Sequence, residues 1–290
     1  MHYRKIMPYL FISPMVVGLI VFRFGPIAAS FLASFTRWSV YAPPQWIGLD
    51  NYREMFSSSE FWTVLTNTLI FVAAYVPGVV ILALVMALLV NQKLRGITLF
   101  RGLYFMPYIT SMVAIAMVWN WIFSTRFGLV NYALKTLFNV NSPPAWLADR
   151  PYTLFVLILV SIWKTAGFQM LIFLAGLQDI PRELYEAARV DGANDRQIFF
   201  KITLPLLSPV TFFVTINSII NAFRTFEVTY AMTQDKPSYA PTLAYHIYRN
   251  AFIFFRMGYA SALAYILLLF VGFVTFINFL LKRRWVFYRA

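Results

Sequence analysis

Long apolar stretches alternate with short polar segments along this chain. A helix that crosses a membrane needs about 20 mainly apolar residues, and six stretches meet that length. The predicted spans are roughly residues 6–35, 66–90, 105–123, 152–177, 205–224 and 258–281. The pattern therefore predicts an all-α polytopic membrane protein with six transmembrane helices, in which residues 1–290 form a single transmembrane domain.

The first apolar stretch is long enough to tilt in a bilayer, and Pro26 is placed to bend it. Its apolar run exceeds the about 7–15 residues typical of the apolar region of a cleaved signal peptide. We therefore expect it to remain in the protein as a membrane span.

Composition supports the membrane assignment and excludes several chemistries. The chain is 60% hydrophobic and 12% charged, whereas soluble domains are about 45–50% apolar and about 25% charged. It has no cysteine, and its two histidines, His2 and His246, are far apart in sequence. His246 falls in a predicted outer loop, where we expect an ordinary surface residue. We therefore expect no thiolate metal site, no histidine-based metal site and no catalytic triad. The net charge of +13 is better explained by membrane topology than by nucleic-acid binding.

Lysine and arginine predict the orientation of the spans. If the N-terminus is inside, 13 of the 24 Lys and Arg lie in short cytoplasmic segments and eight lie in longer outer ones. Cytoplasmic loops carry the excess of positive charge in membrane proteins. We therefore expect both termini, and the polar segment between the fourth and fifth spans, to face the cytoplasm.

That polar segment carries signals for two short helices. Asp179 is a candidate N-cap, and Pro181 is tolerated in a first helical turn. Gly192 is placed to end the first helix in a left-handed conformation. Asn194 and Gln197 have the spacing of a capping box for a second helix. We therefore predict a helix–turn–helix, with the fifth span beginning after it.

The surface of this segment favours a protein partner over lipid. Leu184, Ala187, Ala188 and Asp191 share one face at helical spacing, and the small alanines allow another surface to approach closely. An amphipathic loop lying on lipid is the alternative, but an anionic leaflet would repel the interleaved acids. We therefore expect residues 180–204 to dock on a soluble protein.

The order of residues in this segment resembles the EAA loop of importer-type ABC transporter permeases. The residues that carry the resemblance are Glu186, Ala187, Ala188, Gly192, Ile202, Leu204 and Pro205. Residues 167–170 and 174–181 resemble the carbohydrate-uptake branch of these permeases. Residues 8–14 and 48–52 resemble the first permease of maltose-type and glycerol-phosphate-type pairs. Unlike the maltose permease, this protein is expected to have no extra N-terminal spans and no large outer domain between spans.

The resemblance implies a role for each part of this loop. The residues implied in coupling to an ATPase are Glu186, Ala187, Ala188, Asp191, Gly192, Ile202, Leu204 and Pro205. Glu186 would face a basic group of the ATPase, and Gly192 would form the turn. The chain has no G-x-x-x-x-G-K-[ST] phosphate loop, so ATP and Mg²⁺ are expected on the partner ATPase and no cofactor is expected on this chain.

The resemblance also implies partners and a location. They are a second homologous permease in a heterodimer, two cytoplasmic ATPase subunits and an extracytoplasmic sugar-binding protein docked on residues 36–65 and 226–257. The cargo would be a mono-, di- or oligosaccharide or a related polyol. The location would be the inner membrane of a bacterial or archaeal cell.

Polar side chains inside predicted spans are candidates for the substrate pathway, because such groups are costly in a membrane. The candidates are Asn217, Asn221, Arg224, Lys164, Gln169 and Asn120, and the first three share one face of the fifth predicted span at i, i+4 and i+7 spacing. Amides supply both donors and acceptors to sugar hydroxyls. The alternative for each is a hydrogen bond to a neighbouring helix, and for Lys164 a bond to a backbone carbonyl.

Two other classes of function stay open from the residues themselves. One is a membrane enzyme acting on lipid-linked sugar, and the other is a self-contained secondary carrier. The sequence shows no recognisable carboxylate pair for the first and no carboxylate in the middle of a span for the second. Both alternatives are therefore less consistent with the sequence than a transport subunit driven by a separate ATPase.

Overall fold

The computed structural model describes residues 3–92, 95–233 and 241–287, which are almost entirely helical. The helices are α1 (Tyr3–Leu19), α2 (Gly25–Ala33), α3 (Asp50–Ser57), α4 (Ser59–Val90), α5 (Ile97–Ile109), α6 (Met112–Ile122), α7 (Leu129–Phe138), α8 (Arg150–Gln178), α9 (Arg182–Val190), α10 (Asp195–Ile198), α11 (Leu204–Leu206), α12 (Ser208–Phe223), α13 (Glu227–Thr233), α14 (Leu243–Tyr248) and α15 (Met257–Trp285). Five-residue π-helical segments lie at Ile20–Phe24, Phe199–Thr203 and Arg249–Ile253. The strands are β1 (Thr36–Ser39) and β2 (Ala42–Trp46).

Four helices of the described residues are long and apolar enough to cross a membrane as single elements. They are Met7–Ala33, Ser59–Val90, Arg150–Gln178 and Met257–Trp285. These agree with the predicted spans 6–35, 66–90, 152–177 and 258–281. The first contains a π-helical segment at Ile20–Phe24, immediately before the Gly25–Pro26 pair where a bend was predicted.

The predicted spans 105–123 and 205–224 are not continuous helices, and in this respect the prediction was wrong. The first is the pair α5 and α6, bent by 95°, and the second joins Asp195–Leu206 to α12 with a bend of 62°. If each bent pair is one span, the number of spans is the six predicted.

The two bends have different local causes. Between α5 and α6 the backbone is extended, with ψ of 139° at Thr110 and 134° at Ser111. Before α12 the bend falls at Leu207, between Pro205 and Pro209, which both lack a backbone donor. The Ser208 hydroxyl donates to the Pro205 carbonyl oxygen at 2.6 Å and satisfies the acceptor that Pro209 cannot.

The described chain forms two compact units. The first comprises the residues up to Trp62 together with His246–Leu269, and it contains the β1–β2 hairpin that the all-α prediction lacked. The second comprises Thr63–Tyr245 and the chain from Phe270 onward. Helices α4, α14 and α15 contribute residues to both units.

Two sets of polar bonds, one largely buried and one exposed, link elements within the first unit. The buried Asn51 side chain donates to the carbonyl oxygens of Ser34 at 2.8 Å and Thr36 at 2.9 Å. Arg256 forms a two-oxygen ion pair with Glu54 at 2.5 and 2.6 Å. Because a guanidinium matches a carboxylate in this geometry, the pair holds the segment before α15 against α3.

The second unit has a core in which helices approach closely. α4, α8, α12 and the residue before α12 contribute buried apolar side chains such as Phe173, Val214 and Leu207. Small residues permit the approach: a methyl group added at Gly176 would lie 2.7 Å from Val210 Cγ2. Small residues at helix contacts are typical of membrane proteins, because they bring backbones together.

Candidate functional site

The loop between α8 and α12 has the two-helix form that the sequence predicted, but it begins differently. α8 continues to Gln178, and Asp179 is its C-cap, with its amide bonded to the Ala175 carbonyl oxygen at 3.1 Å. The predicted N-cap role of Asp179 was therefore wrong. The N-cap of α9 is Pro181. A proline disfavours helical backbone at the residue before it, so the two helices are separated at Ile180.

Gly192 ends α9 as predicted. Its φ is +78°, a left-handed conformation that a glycine adopts without strain. The Ala193 amide bonds to the Ala188 carbonyl oxygen at 2.9 Å, and the Gly192 amide bonds to Arg189 at 3.1 Å. These two bonds form a Schellman motif, which satisfies the last carbonyls of the helix.

The second helix begins with the predicted capping box. The Gln197 amide donates to Asn194 Oδ1 at 2.9 Å, and the Asn194 amide donates to Gln197 Oε1 at 2.9 Å. After α10 the helix passes through the π-helical segment and continues to Leu206, so that Pro205 lies within it. The Tyr185 hydroxyl lies 3.3 Å from the Thr203 hydroxyl and links the two helices of the loop.

The EAA-type residues divide into an outward-facing set and a half-buried set. Glu186, Ala187, Asp191 and Gly192 are exposed, and Ala188 is half-buried. Ile202, Leu204 and Pro205, which continue the second helix of the loop toward α12, are half-buried. Ile180 and Leu207, at the two ends of the loop, belong to the buried core. The outward face is therefore attached directly to packed transmembrane helices.

A cavity of about 290 Å³ in the second unit brings together part of the predicted substrate pathway. Its lining residues are Tyr75, Met112, Ser161, Lys164, Thr165, Asn221, Arg224, Thr225, Phe226, Glu227 and Val228. Lys164, Asn221 and Arg224 were predicted. Tyr75 and Glu227 also line the cavity but were not predicted to do so. Tyr75 could have been found as an aromatic residue with a polar hydroxyl group inside a long apolar run.

Lys164 lies beside the break between α5 and α6. Its ammonium group donates to the carbonyl oxygens of Pro107 at 3.3 Å, Tyr108 at 3.2 Å and Thr110 at 2.8 Å. An ammonium group has three donors, so these carbonyls use all of them. The alternative noted from the sequence, a bond from Lys164 to backbone carbonyls, is therefore what the structure shows.

The other predicted polar residues take separate positions. Asn221 donates to Asn217 Oδ1 at 2.7 Å, which confirms that the two amides share one face of α12, but Asn217 does not line the cavity. Gln169 is buried, and Asn120 is half-buried. Among the described residues, Gln169 Oε1 and Asn120 Oδ1 have no hydrogen-bond partner, and neither residue lines the cavity.

A second cavity, of about 300 Å³, lies in the first unit beside the hairpin. Its walls include Trp38, Tyr41 and Phe255, together with charged side chains. Phe255 has a φ of +55°, which is rare for a bulky side chain and is strained. Strain of this kind persists only where surrounding contacts impose it. One such contact here is the hydrogen bond from the Arg256 amide to the Asn250 carbonyl oxygen at 2.8 Å.

His246 is buried, although its place in a predicted outer loop indicated an ordinary surface residue. Only 3% of it is exposed, and its Nδ1 lies 3.6 Å from a Glu60 carboxylate oxygen. Burial lowers the pKa of the imidazole from its usual value, and the Glu60 carboxylate opposes this shift. The surface assignment was therefore wrong, because helix α14 turns this side chain into the first unit.

Comparison with known proteins places the chain in a family. Residues 79–286 match the family model described as binding-protein-dependent transport system inner membrane component. The probable ABC transporter permease protein YesP of Bacillus subtilis (strain 168) is 41% identical over 287 residues, which is 97% of this chain and 92% of that protein. The lactose transport system permease protein LacF of Rhizobium radiobacter is 33% identical over 97% of this chain and 95% of its own length.

A solved structure has the same fold. A chain of the crystal structure of a bacterial alginate ABC transporter, in complex with an alginate pentasaccharide-bound periplasmic protein, superposes with a TM-score of 0.85. It is 22% identical, and the match covers 97% of this chain and 96% of that chain. The relatives are transport subunits, so the enzyme alternative is excluded. The chain belongs to the family of binding-protein-dependent transport system inner membrane components, the multi-pass permease subunits of ABC transporters.

Proposed function

We propose that the chain forms half of the transmembrane pathway of an importer that moves a saccharide into the cell by alternating access. The observation that carries this proposal is the capped two-helix loop, which presents Glu186 and Gly192 outward while its ends belong to the packed core. A stiff loop of this kind transmits a push from a cytoplasmic ATPase to the helices. Rigid-body motion of one helix bundle against another then opens the pathway to either side in turn.

A saccharide is the cargo that the relatives and the cavity support. Relatives are named for transport of lactose, of arabinooligosaccharides and of trehalose or maltose. The cavity in the second unit offers amide, hydroxyl and charged groups from Asn221, Thr165 and Arg224 beside the aromatic ring of Phe226. Such a mixture suits sugars, because hydroxyl groups need both donors and acceptors.

Coupling in this proposal depends on named residues of the loop. Glu186 contacts a basic group on the ATPase, while Ala187, Ala188 and Asp191 form the remainder of the docking face. Gly192 fixes the angle between the two helices, and Ile202, Leu204 and Pro205 transmit the motion to α12. ATP and Mg²⁺ bind to the ATPase subunits, and this chain carries no cofactor.

The complete transporter contains further subunits. We propose a second, homologous permease in a heterodimer, two ATPases on the cytoplasmic loops and an extracytoplasmic binding protein. The binding protein docks on residues 36–65 and 226–257, of which residues 234–240 lie outside the described structure. The cavity beside the hairpin supports this surface, since interface hot spots are rich in Trp, Tyr and Arg. Both termini are cytoplasmic.

Substitutions in the loop test the proposal. Glu186→Lys reverses the charge at the docking face, and Gly192→Pro is incompatible with a φ of +78°. Both variants are expected to insert into the membrane, to lose the ATPase during purification and to abolish sugar uptake. Asp149→Lys is the matched control, because Asp149 is also exposed but makes no side-chain cap bond and lies outside the loop. Normal uptake and normal ATPase co-purification in both loop variants would refute the proposal.

A further inference from the structure

Three charged side chains line the cavity of the second unit, and their charges do not cancel. Lys164 and Arg224 are cationic, and Glu227 is the single acid among the described lining residues. Charge within the membrane region is costly unless an opposite charge meets it. The cavity therefore holds one unit of positive charge that no acid among its described lining residues neutralises.

Lys164 contributes charge to this cavity but no free donor. Its three donors are directed at the carbonyl oxygens of Pro107, Tyr108 and Thr110, at 2.8–3.3 Å. Substrate binding that drew these donors away would leave backbone acceptors unsatisfied beside the helix break. Lys164 therefore attracts a negatively charged substrate through its charge but does not donate a hydrogen bond to it.

Arg224 has donors to offer. It is the C-cap residue of α12 and is exposed to the cavity. A cation at a helix C-terminus is favoured by the helix dipole, but that interaction uses none of the guanidinium donors. Within residues 3–92, 95–233 and 241–287, no hydrogen bond or ion pair engages the Arg224 side chain, and Glu227 is not paired with it. Its planar group of five donors matches a carboxylate.

We propose that the transported saccharide carries a single carboxylate, as uronic-acid sugars do, and that Arg224 binds this carboxylate. This inference rests on the proposed import function. Lys164 adds attraction without direct contact, and the amide of Asn221, one helical turn before Arg224, binds a neighbouring hydroxyl. Glu227 discriminates against a second negative charge, so a phosphate monoester, which carries nearly two charges at neutral pH, is disfavoured.

The first test uses uptake of three matched probes by cells that express the chain with its partner subunits. The probes are labelled galacturonate, which carries one carboxylate, the neutral sugar galactose, and galactose 6-phosphate. Galacturonate is expected to be taken up in preference to both. Uptake confined to the neutral or the phosphorylated sugar would overturn the carboxylate assignment and leave sugar import standing, whereas no uptake of any sugar would count against the import function itself.

Substitutions at Arg224 test its role. Arg224→Gln keeps polar donors but removes the charge, and it is expected to lower galacturonate uptake about tenfold or more, while uptake of any neutral sugar changes little. Arg224→Lys keeps the charge and should retain part of the uptake. Arg126→Gln is the matched control, since Arg126 is exposed but lies outside the cavity.

The outcomes of these substitutions are distinct. Equal loss of acidic and neutral uptake in Arg224→Gln would mean a structural role for Arg224 and would overturn the assignment. Acidic uptake that is unchanged in Arg224→Gln would overturn it as well. Membrane content measured by immunoblot separates loss of transport from loss of the protein, and the Arg224→Lys variant keeps the test decisive if Arg224→Gln is degraded.

Discussion

At the scale of single residues, close helix contacts decide which positions tolerate change. Gly167 of α8 lies so near α5 that a methyl group there would be 1.8 Å from the Tyr104 carbonyl oxygen and 2.6 Å from its carbonyl carbon. Both are backbone atoms, so no side chain can move aside. Gly102, on α5 itself, has nothing within 4 Å of the same added atom.

These two glycines give opposite predictions. Gly167→Ala should push α5 away from α8 and lower the free energy of unfolding by about 1–3 kcal/mol or more, as overpacking does. Gly102→Ala should raise it by about 0.4–1 kcal/mol, since the helix accepts the methyl group and the unfolded chain loses freedom. Thermal unfolding of the purified protein in detergent measures both, and equal melting temperatures for the two variants would contradict the contact.

At the scale of elements, some features follow from local sequence and others do not. The Gly192 turn and the Asn194–Gln197 capping box were predictable, because each depends on residues within one turn of helix. The break at Thr110 was not, since its carbonyls are satisfied by Lys164 from α8, more than 50 residues along the chain. Asp179 was misassigned for a local reason: α9 begins only after Pro181, so Asp179 caps the end of α8 and not the start of α9.

The set of residues that line the cavity also could not be predicted from local sequence alone. Helical spacing correctly placed Asn217 and Asn221 on one face, because periodicity within a helix is a local property. It could not place Tyr75 or Glu227 beside Arg224, since these residues come from different elements. Which polar side chains share a cavity depends on tertiary packing, which a single sequence does not display.

The helix break gives a prediction about Lys164. Lys164→Met removes all three donors and leaves the end of α5 with unsatisfied carbonyls, so the free energy of unfolding should fall by at least about 2 kcal/mol. Hydrogen exchange should accelerate at the amides of α5 and α6 that flank the break. Lys164→Arg retains donors and should recover part of the protection, whereas unchanged exchange in Lys164→Met would show that the lysine does not hold the break.

The capping box gives a smaller and more local prediction. Asn194→Ala removes the acceptor for the Gln197 amide and should cost about 1 kcal/mol of local stability. Exchange of the Gln197 amide should therefore become several-fold faster, while that of α8 amides stays the same. Asn194→Asp keeps an acceptor and serves as the control, and an equal acceleration in both variants would argue against the side-chain bond.

At the scale of the whole molecule, apolar surface and basic residues set the relation to the membrane. The most apolar window of Met7–Ala33 has no residue buried within the described chain, so lipid or another subunit must cover it. Basic residues end the last span at Lys282, Arg283 and Arg284. Positive charge at this end favours the cytoplasmic side, which also places residues 180–204 there.

Single cysteines test this orientation cleanly, because the native chain has no cysteine. Asp195→Cys places a thiol in the loop of residues 180–204, where the Asp195 side chain is 94% exposed, and Tyr41→Cys places one at the hairpin, where Tyr41 is 80% exposed. A membrane-impermeant maleimide added to intact cells, or to spheroplasts if an outer membrane is present, should label Tyr41→Cys only. After permeabilisation it should label both.

The native chain controls for background, and uptake by each variant shows that its fold is retained. Labelling of Asp195→Cys before permeabilisation would invert the topology and remove the loop from the reach of a cytoplasmic ATPase.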